Sequence, residues 1–291
     1  MSTTGGARSP SFRAGAPAAN TRAALGPLQE LPGTWIGSGF NLIARPDHQD
    51  GKPFFLELNA TREILSFTEI SAPIPNRGSV QDDIVFLGVH YLQQISDAVT
   101  KGALHLEPGI WLRIPPTTDP AAPETAVRLA TIPHGDALLA QGQAFTVPGG
   151  PTIAPVSSTP IDHATGQLVT GATYLAPFTT TPLPPGIPAG SVADPNTVLR
   201  ADIAGQTITE TVVIEVDTTT AFGGSAGGLE NIPFVVANAD ATSMRAIFWI
   251  ETVQHGDGHG AYLQLQYSQR VILNFLGIDW PHVSVATLIK N

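Results

Sequence analysis

The chain has 291 residues, 42% of them apolar and only 13% charged, with a net charge of −10 and no cysteine. That apolar share is enough to build a core, whereas the missing cysteines exclude disulfide frameworks, thiolate metal sites and cysteine nucleophiles. An acidic balance without any Lys/Arg cluster argues against a nucleic-acid backbone as partner. No apolar run approaches the roughly 18 residues of a membrane helix, so no membrane insertion is expected. The 29 glycines and 26 prolines argue against a helical bundle.

Residues 1–30 are rich in Ala, Gly, Ser and Pro, and carry Arg8, Arg13 and Arg22 without a continuous apolar stretch. They read as a flexible tail and not as a secretory signal, which with the absent cysteines suggests a cytoplasmic protein. From Leu31 onward short apolar runs are broken by Gly, Pro, Asn and Asp. In Tyr262 to Phe275 one face carries Leu263, Leu265, Tyr267, Val271, Leu273 and Phe275, and the other Gln264, Gln266, Ser268, Arg270 and Asn274. Period two of this kind marks a half-buried strand. Comparable runs are Phe54–Leu58, Glu63–Ile70, Ile84–Leu92, Ala103–Glu107, Ile110–Ile114, Val127–Ile132, Thr207–Val216, Arg245–Val253 and Val283–Ile289. The reading is all-β and antiparallel, with about ten strands. A closed barrel over residues 31–291 is favoured over a sandwich because closure removes edge strands. A barrel of this size fills with side chains or encloses one small ligand.

Val147 to Asn196 breaks the pattern with ten prolines and few charges. It suits an extended linker, a lid over the barrel mouth, or an arm that grips a second copy in a homo-oligomer. The Gly-rich patch Gly223 to Gly228 suits a flexible turn, and no helix clearly follows it to make a phosphate cradle.

Among eight histidines, His255 and His259 resemble a metal pair, but Asp257-Gly258 between them is a hairpin signal and flanking glycines leave the ligands loose. Glu57, Glu63 and Glu107 could serve as paired carboxylates, although strand positions more often face solvent, and nothing positive marks a hydrolase. His282 opens the last strand and shares a face with Ser284, Ala286 and Leu288, opposite Val283, Val285 and Ile289. Small neighbours leave room for a flat ligand. Taken alone, a core histidine bonded to a carbonyl is the commoner outcome. His105 shares a face with Ala103 and Glu107 and admits the same two readings.

Three segments in order resemble the nitrobindin family. Gly33-Thr34-Trp35-Ile36-Gly37-Ser38-Gly39 matches its Gly-x-Trp-x-Gly-x-Gly signature. Leu104-His105-x-Glu107-x-Gly109, with Arg113, Pro115 and the stretch Val127–Gly135, looks like its second conserved region. Pro281-His282-Val283-Ser284-Val285-Ala286-Thr287-Leu288 is similar to its C-terminal strand. The likeness spans about residues 31–145 and 241–290.

The resemblance implies a ten-stranded, calycin-like barrel holding haem b, with the iron on His282 and ferric haem as the resting form. By motif position His105 would line the distal side, with Leu104, Ile132, Val271 and Leu273 around the pocket and Thr34, Gly37 and Gly39 near the porphyrin face. Family members are associated with nitric oxide binding and with isomerising peroxynitrite to nitrate. About 95 residues (146–240) intervene here where the family barrel is compact. The family's haem-contacting lysine has no counterpart between Lys101 and Lys290, which leaves Arg200 or Arg245 as substitutes. His105 with Arg113 could form a peroxidase-like pair if the Pro108-Gly109 kink keeps strand register.

The expected function is therefore a haem-binding barrel acting on a small diffusible nitrogen or oxygen species. The alternative is a carrier of an apolar molecule such as a fatty acid, with Arg113 or Tyr267 meeting its carboxylate.

Overall fold

The computed structural model describes residues 22–219, 227–256 and 259–291. Ten strands follow one another around a closed antiparallel ring. They are β1 (Gly33–Asp47), β2 (Lys52–Glu69), β3 (Ile84–Asp97), β4 (Ala103–Ile114), β5 (Thr125–Ile132), β6 (Asp136–Pro148), β7 (Ile208–Asp217), β8 (Asp240–Gln254), β9 (Ala261–Phe275) and β10 (Ile278–Lys290). The ring closes where β10 returns to β1, with Trp35 opposite Lys290 and Leu42 opposite Val283. Short strands such as Ile74–Asn76 and Gly228–Asn231 lie outside the ring.

The ten-stranded barrel agrees with the alternation of the sequence, but the strands are divided differently. Two pairs of predicted runs are single strands. Phe54–Leu58 and Glu63–Ile70 join as β2 because the polar residues between them, Asn59 and Thr61, are buried and still belong to the ladder. Ala103–Glu107 and Ile110–Ile114 join as β4. Pro108 stands on its outer face, and Gly109 is required beneath the Tyr91 ring, since a Cβ there would come within 2.5 Å of it. The places in the ring this frees go to β1 and β6, whose Gly, Asn and Gln content hid the period.

One end of the barrel is plugged by residues assigned above to the tail. Leu25 and Leu28 are fully buried around the short turn Gly26–Leu28 and pack with Leu31 and Trp35 in the interior core. Trp35 Nε1 donates to Leu31 O at 2.8 Å. Arg113 ties the plug down, donating from Nη1 to Ala24 O at 2.7 Å and from Nη2 to Glu124 at 2.5 Å. Residues 1–21, the rest of the expected tail, lie outside the described residues.

A second apolar core lies outside the ring. Phe40, Leu42, Phe54, Leu56, Trp249, Val283 and Val285 face outward from the wall, and Ile153 of the Pro-rich segment, with Val198 and Leu199 just after it, cover them. Trp280 anchors this layer, with its ring centroid 4.5 Å from Phe54, 5.1 Å from Phe275 and 5.8 Å from Tyr174. Tyr174 belongs to α1 (Ala172–Thr180) and Leu199 to α2 (Thr197–Asp202). The segment is thus a packed coat on its own barrel, not a solvated linker. The wall beneath it is buried on both faces, so Gln264 and Gln266, expected on a polar face, are inaccessible to solvent, as is Glu251. No helix among the described residues is long and apolar enough to cross a membrane.

Candidate functional site

Opposite the plug the ring encloses a cavity of about 660 Å³, within the usual range for small-molecule sites. Its wall comes from the mouth-proximal ends of the strands: Asn41 and Ile43 of β1, Gln93 and Ile95 of β3, Val271 and Leu273 of β9, and His282 and Ser284 of β10. A short helix, α3 (Pro233–Asn238), contributes Phe234, Val235 and Asn238 to the rim. The lid therefore comes from residues 233–238 and not from the Pro-rich stretch, which lies against the outer wall.

His282 faces this cavity, on the strand face expected from parity, with Ala286 and Leu288 below it in the interior core. Its Nε2 lies 2.8 Å from Asn41 Oδ1, which also accepts from Ser284 Oγ at 2.9 Å. Burial first, then the nearby His105 and His134, push its pKa down to about 3. The imidazole is neutral at physiological pH and donates Nε2–H to Asn41. His105 and His134 share the cavity, their ring centroids 6.1 Å apart. Among the described residues no group of three or more His, Asp or Glu converges closely enough to hold a metal ion.

Beneath the cavity lining lies a buried, closely bonded polar group. Glu107 is fully buried. Its Oε1 accepts from Tyr91 OH and, at 2.6 Å, from Arg128 Nη2, and its Oε2 lies 3.2 Å from His105 Nε2. Desolvation opposes ionisation of Glu107, but Arg128, His105 and Tyr91 outweigh it and hold the carboxyl down at about 2. Arg128 is equally buried, and the charge of Glu107 offsets its desolvation, so its pKa is raised. Its Nε donates to Tyr91 OH at 2.9 Å and its Nη1 to Gln269 Oε1 at 2.6 Å. Beside this group Glu63 accepts from Tyr267 OH at 2.7 Å and Thr61 Oγ1 at 2.9 Å, and burial raises its pKa.

Leu104, His105, Ile132, Val271, Leu273 and His282 line the same cavity. Thr34, Gly37 and Gly39 do not. Thr34 lies beside Ser66. The two glycines serve ring closure: a Cβ at either would come within 2.0 Å of a backbone oxygen of β10, Thr287 O or Val285 O. Arg113 shares the inward face of β4 with His105 but lies eight residues along the strand, about 26 Å away, and is bound to the plug. The proposed His105–Arg113 pair is not assembled. Neither Arg200, which bonds Asp194 at 2.5 Å, nor Arg245, paired with Glu215, lines the cavity. The arginine of the rim is Arg45, bonded to Glu57 at 2.7 Å.

His255 and His259 flank a hairpin, as the turn signal suggested: β8 pairs β9 up to Gln254 opposite Ala261. Asp257 and Gly258 lie outside the described residues, as does most of the Gly-rich patch (Gly223 to Ala226).

No family model and no curated protein matches this chain. Among solved structures it is similar to the crystal structure of Rv2717c from M. tuberculosis, with a TM-score of 0.44 and 15% identity over 93% of this chain and 97% of that one.

Sequence reasoning missed Arg128 as an interior residue. Its neighbours in the strand, Ala126 and Ala130, share its inward parity and are small. A lone arginine between small inward residues was the available signal.

Proposed function

We propose that the barrel mouth binds haem b, with His282 as the axial ligand, and that the site acts on a small reactive nitrogen or oxygen species. The observation that carries this reading is a neutral imidazole on the wall of a largely apolar cavity of about 660 Å³. Haem needs an apolar slot and one uncharged histidine nitrogen, and both are present. Arg45 and His48 at the rim suit the propionates. To hold the iron, His282 Nε2 would have to give up its hydrogen bond to Asn41 and carry the ring proton on Nδ1. Ile43, Val271 and Leu273 give the cavity apolar wall, and Ser284 holds Asn41 beside the imidazole. Bound there, the iron would supply a binding point for a small ligand. The Gly-x-Trp-x-Gly-x-Gly and Pro281–Leu288 segments support the reading from sequence.

A haem-free carrier of an apolar molecule is favoured by one observation: the Nε2–H of His282 is already satisfied by Asn41. Hemin titration separates the two. Wild-type protein should give a saturable Soret band, and His282→Ala should weaken or shift it, with peroxynitrite decay as the activity assay. An identical band in the variant, or no band in either, defeats the haem reading and leaves the carrier.

A further inference from the structure

We infer that His105, oriented by Glu107, is the proton acceptor of the cavity, placed for a small apolar ligand that carries a weakly acidic hydroxyl. The inference rests on the cavity being the ligand site, and not on iron.

The local sequence sets the geometry. His105 and Glu107 are two apart on one strand, so both point inward and the imidazole lies beside the carboxylate. Burying a carboxylate costs several kcal/mol unless charge and hydrogen bonds offset it. Here Oε1 receives two donors, Arg128 and Tyr91, while Oε2 is left to His105. An ionised carboxylate only accepts, so His105 must donate Nε2–H to it. The lone pair of the neutral ring is then on Nδ1. Nδ1 has no hydrogen-bond partner among the described residues, and His105 lines the cavity.

Arg128 and Tyr91 satisfy Oε1 of Glu107 and one another, so only Oε2 depends on the histidine. His105 joins that group to the open space above it. A carboxylate behind one ring nitrogen fixes the tautomer and favours the imidazolium formed when the other nitrogen takes a proton. The other ionisable groups near His105 are His134, Asp136 and His282 on the cavity wall and Glu63 beneath it. None has a hydrogen bond to its ring.

The step is a single proton transfer. The ligand's O–H bond breaks, an N–H bond forms at Nδ1, and the oxyanion remains beside an imidazolium whose charge lies against Glu107. No oxidant or second reactant enters. Glu107 is a positioning residue, and Arg128 and Tyr91 hold it in place and ionised.

The probe is 4-nitrophenol, added to the full chain without hemin at about pH 6, where the free dye is mostly protonated and a histidine can take its proton. The wild-type complex should show the phenolate absorption band. His105→Ala, which leaves Glu107 and Arg128 paired, should lower the bound phenolate fraction about tenfold, the order of one charge-assisted hydrogen bond. Glu107→Gln should lower it while the dye still binds. Long-range 1H–15N spectra should report the Nε2–H tautomer of His105 in wild type and its loss in Glu107→Gln. If that variant does not fold, the wild-type tautomer and His105→Ala decide the matter.

Dye bound as neutral phenol, dye not bound at all, a phenolate band unchanged in His105→Ala, or an Nδ1–H tautomer in wild type each overturn the inference. A His105-dependent phenolate band without any Soret band on adding hemin would defeat the haem reading alone. A His282-dependent Soret band with neutral dye would defeat only this one.

Discussion

Glu251 lies between the barrel wall and its coat, fully buried, with Oε2 accepting from Gln264 Nε2 at 2.5 Å and Oε1 without any partner. No cation faces it. Burial therefore raises its carboxyl from 4.5 to about 7, against the weaker opposing effect of Gln264. A raised value means that the folded protein holds the proton more tightly than the unfolded chain does. The contribution is fully present below about 4.5 and is lost as pH rises to about 7 and beyond. Each tenfold gain in proton affinity is worth about 1.4 kcal/mol, so ionised Glu251 weakens the native state by about 3 kcal/mol. Glu251→Gln keeps the shape, removes the charge and retains a partner for Gln264. Urea unfolding at a series of pH values should show equal stabilities near pH 4.5 and a variant about 3 kcal/mol more stable above about pH 8. Other titrating groups cancel in that difference. A gap between the two proteins that does not change with pH would refute the reasoning, and would mean that the carboxyl finds solvent or a cation when ionised.

Two further outcomes follow from the interior. Arg128→Met leaves the Glu107 carboxylate buried without its cation and should cost about 3–5 kcal/mol, much of it recovered in the double variant with Glu107→Met; equilibrium unfolding of the cycle checks this, and additive losses would mean that the pair is not coupled. Leu25→Ala should cost about 2–5 kcal/mol because its side chain is fully buried in the plug; a change within error of zero in the same assay would show that residues 22–30 do not close the barrel.

Fold class was legible because the strand period is local. Alternation in Tyr262–Phe275 and Val283–Ile289 requires only that one face meet a core, and the same parity put His282 and Ser284 on one face. Parity also put His105 and Glu107 together, since a spacing of two along a strand needs no knowledge of the rest of the chain. The glycine signature was legible as a motif but not as a role. Gly37 and Gly39 answer the close approach of β10, some 250 residues away in sequence, and nothing local announces a neighbour of that kind.

Three features were decided by tertiary structure alone. Polar side chains such as Gln264, Gln266 and Glu251 mark a wet face only if nothing covers it, and the Pro-rich coat covers it here. Arg113 and His105 share a face, but whether two residues on one face meet depends on which end of the barrel is hollow, and the plug fills the end that holds Arg113. Arg128 became the cation of the buried polar group because the ring brings β3, β4, β5 and β9 around one point, joining Tyr91, Glu107, Arg128 and Gln269. The sequence determined the strand period and the inward set of each strand. Only closure of the ring decided which of those inward residues share a cavity, because hydrogen-bond register between distant strands places them at the same height.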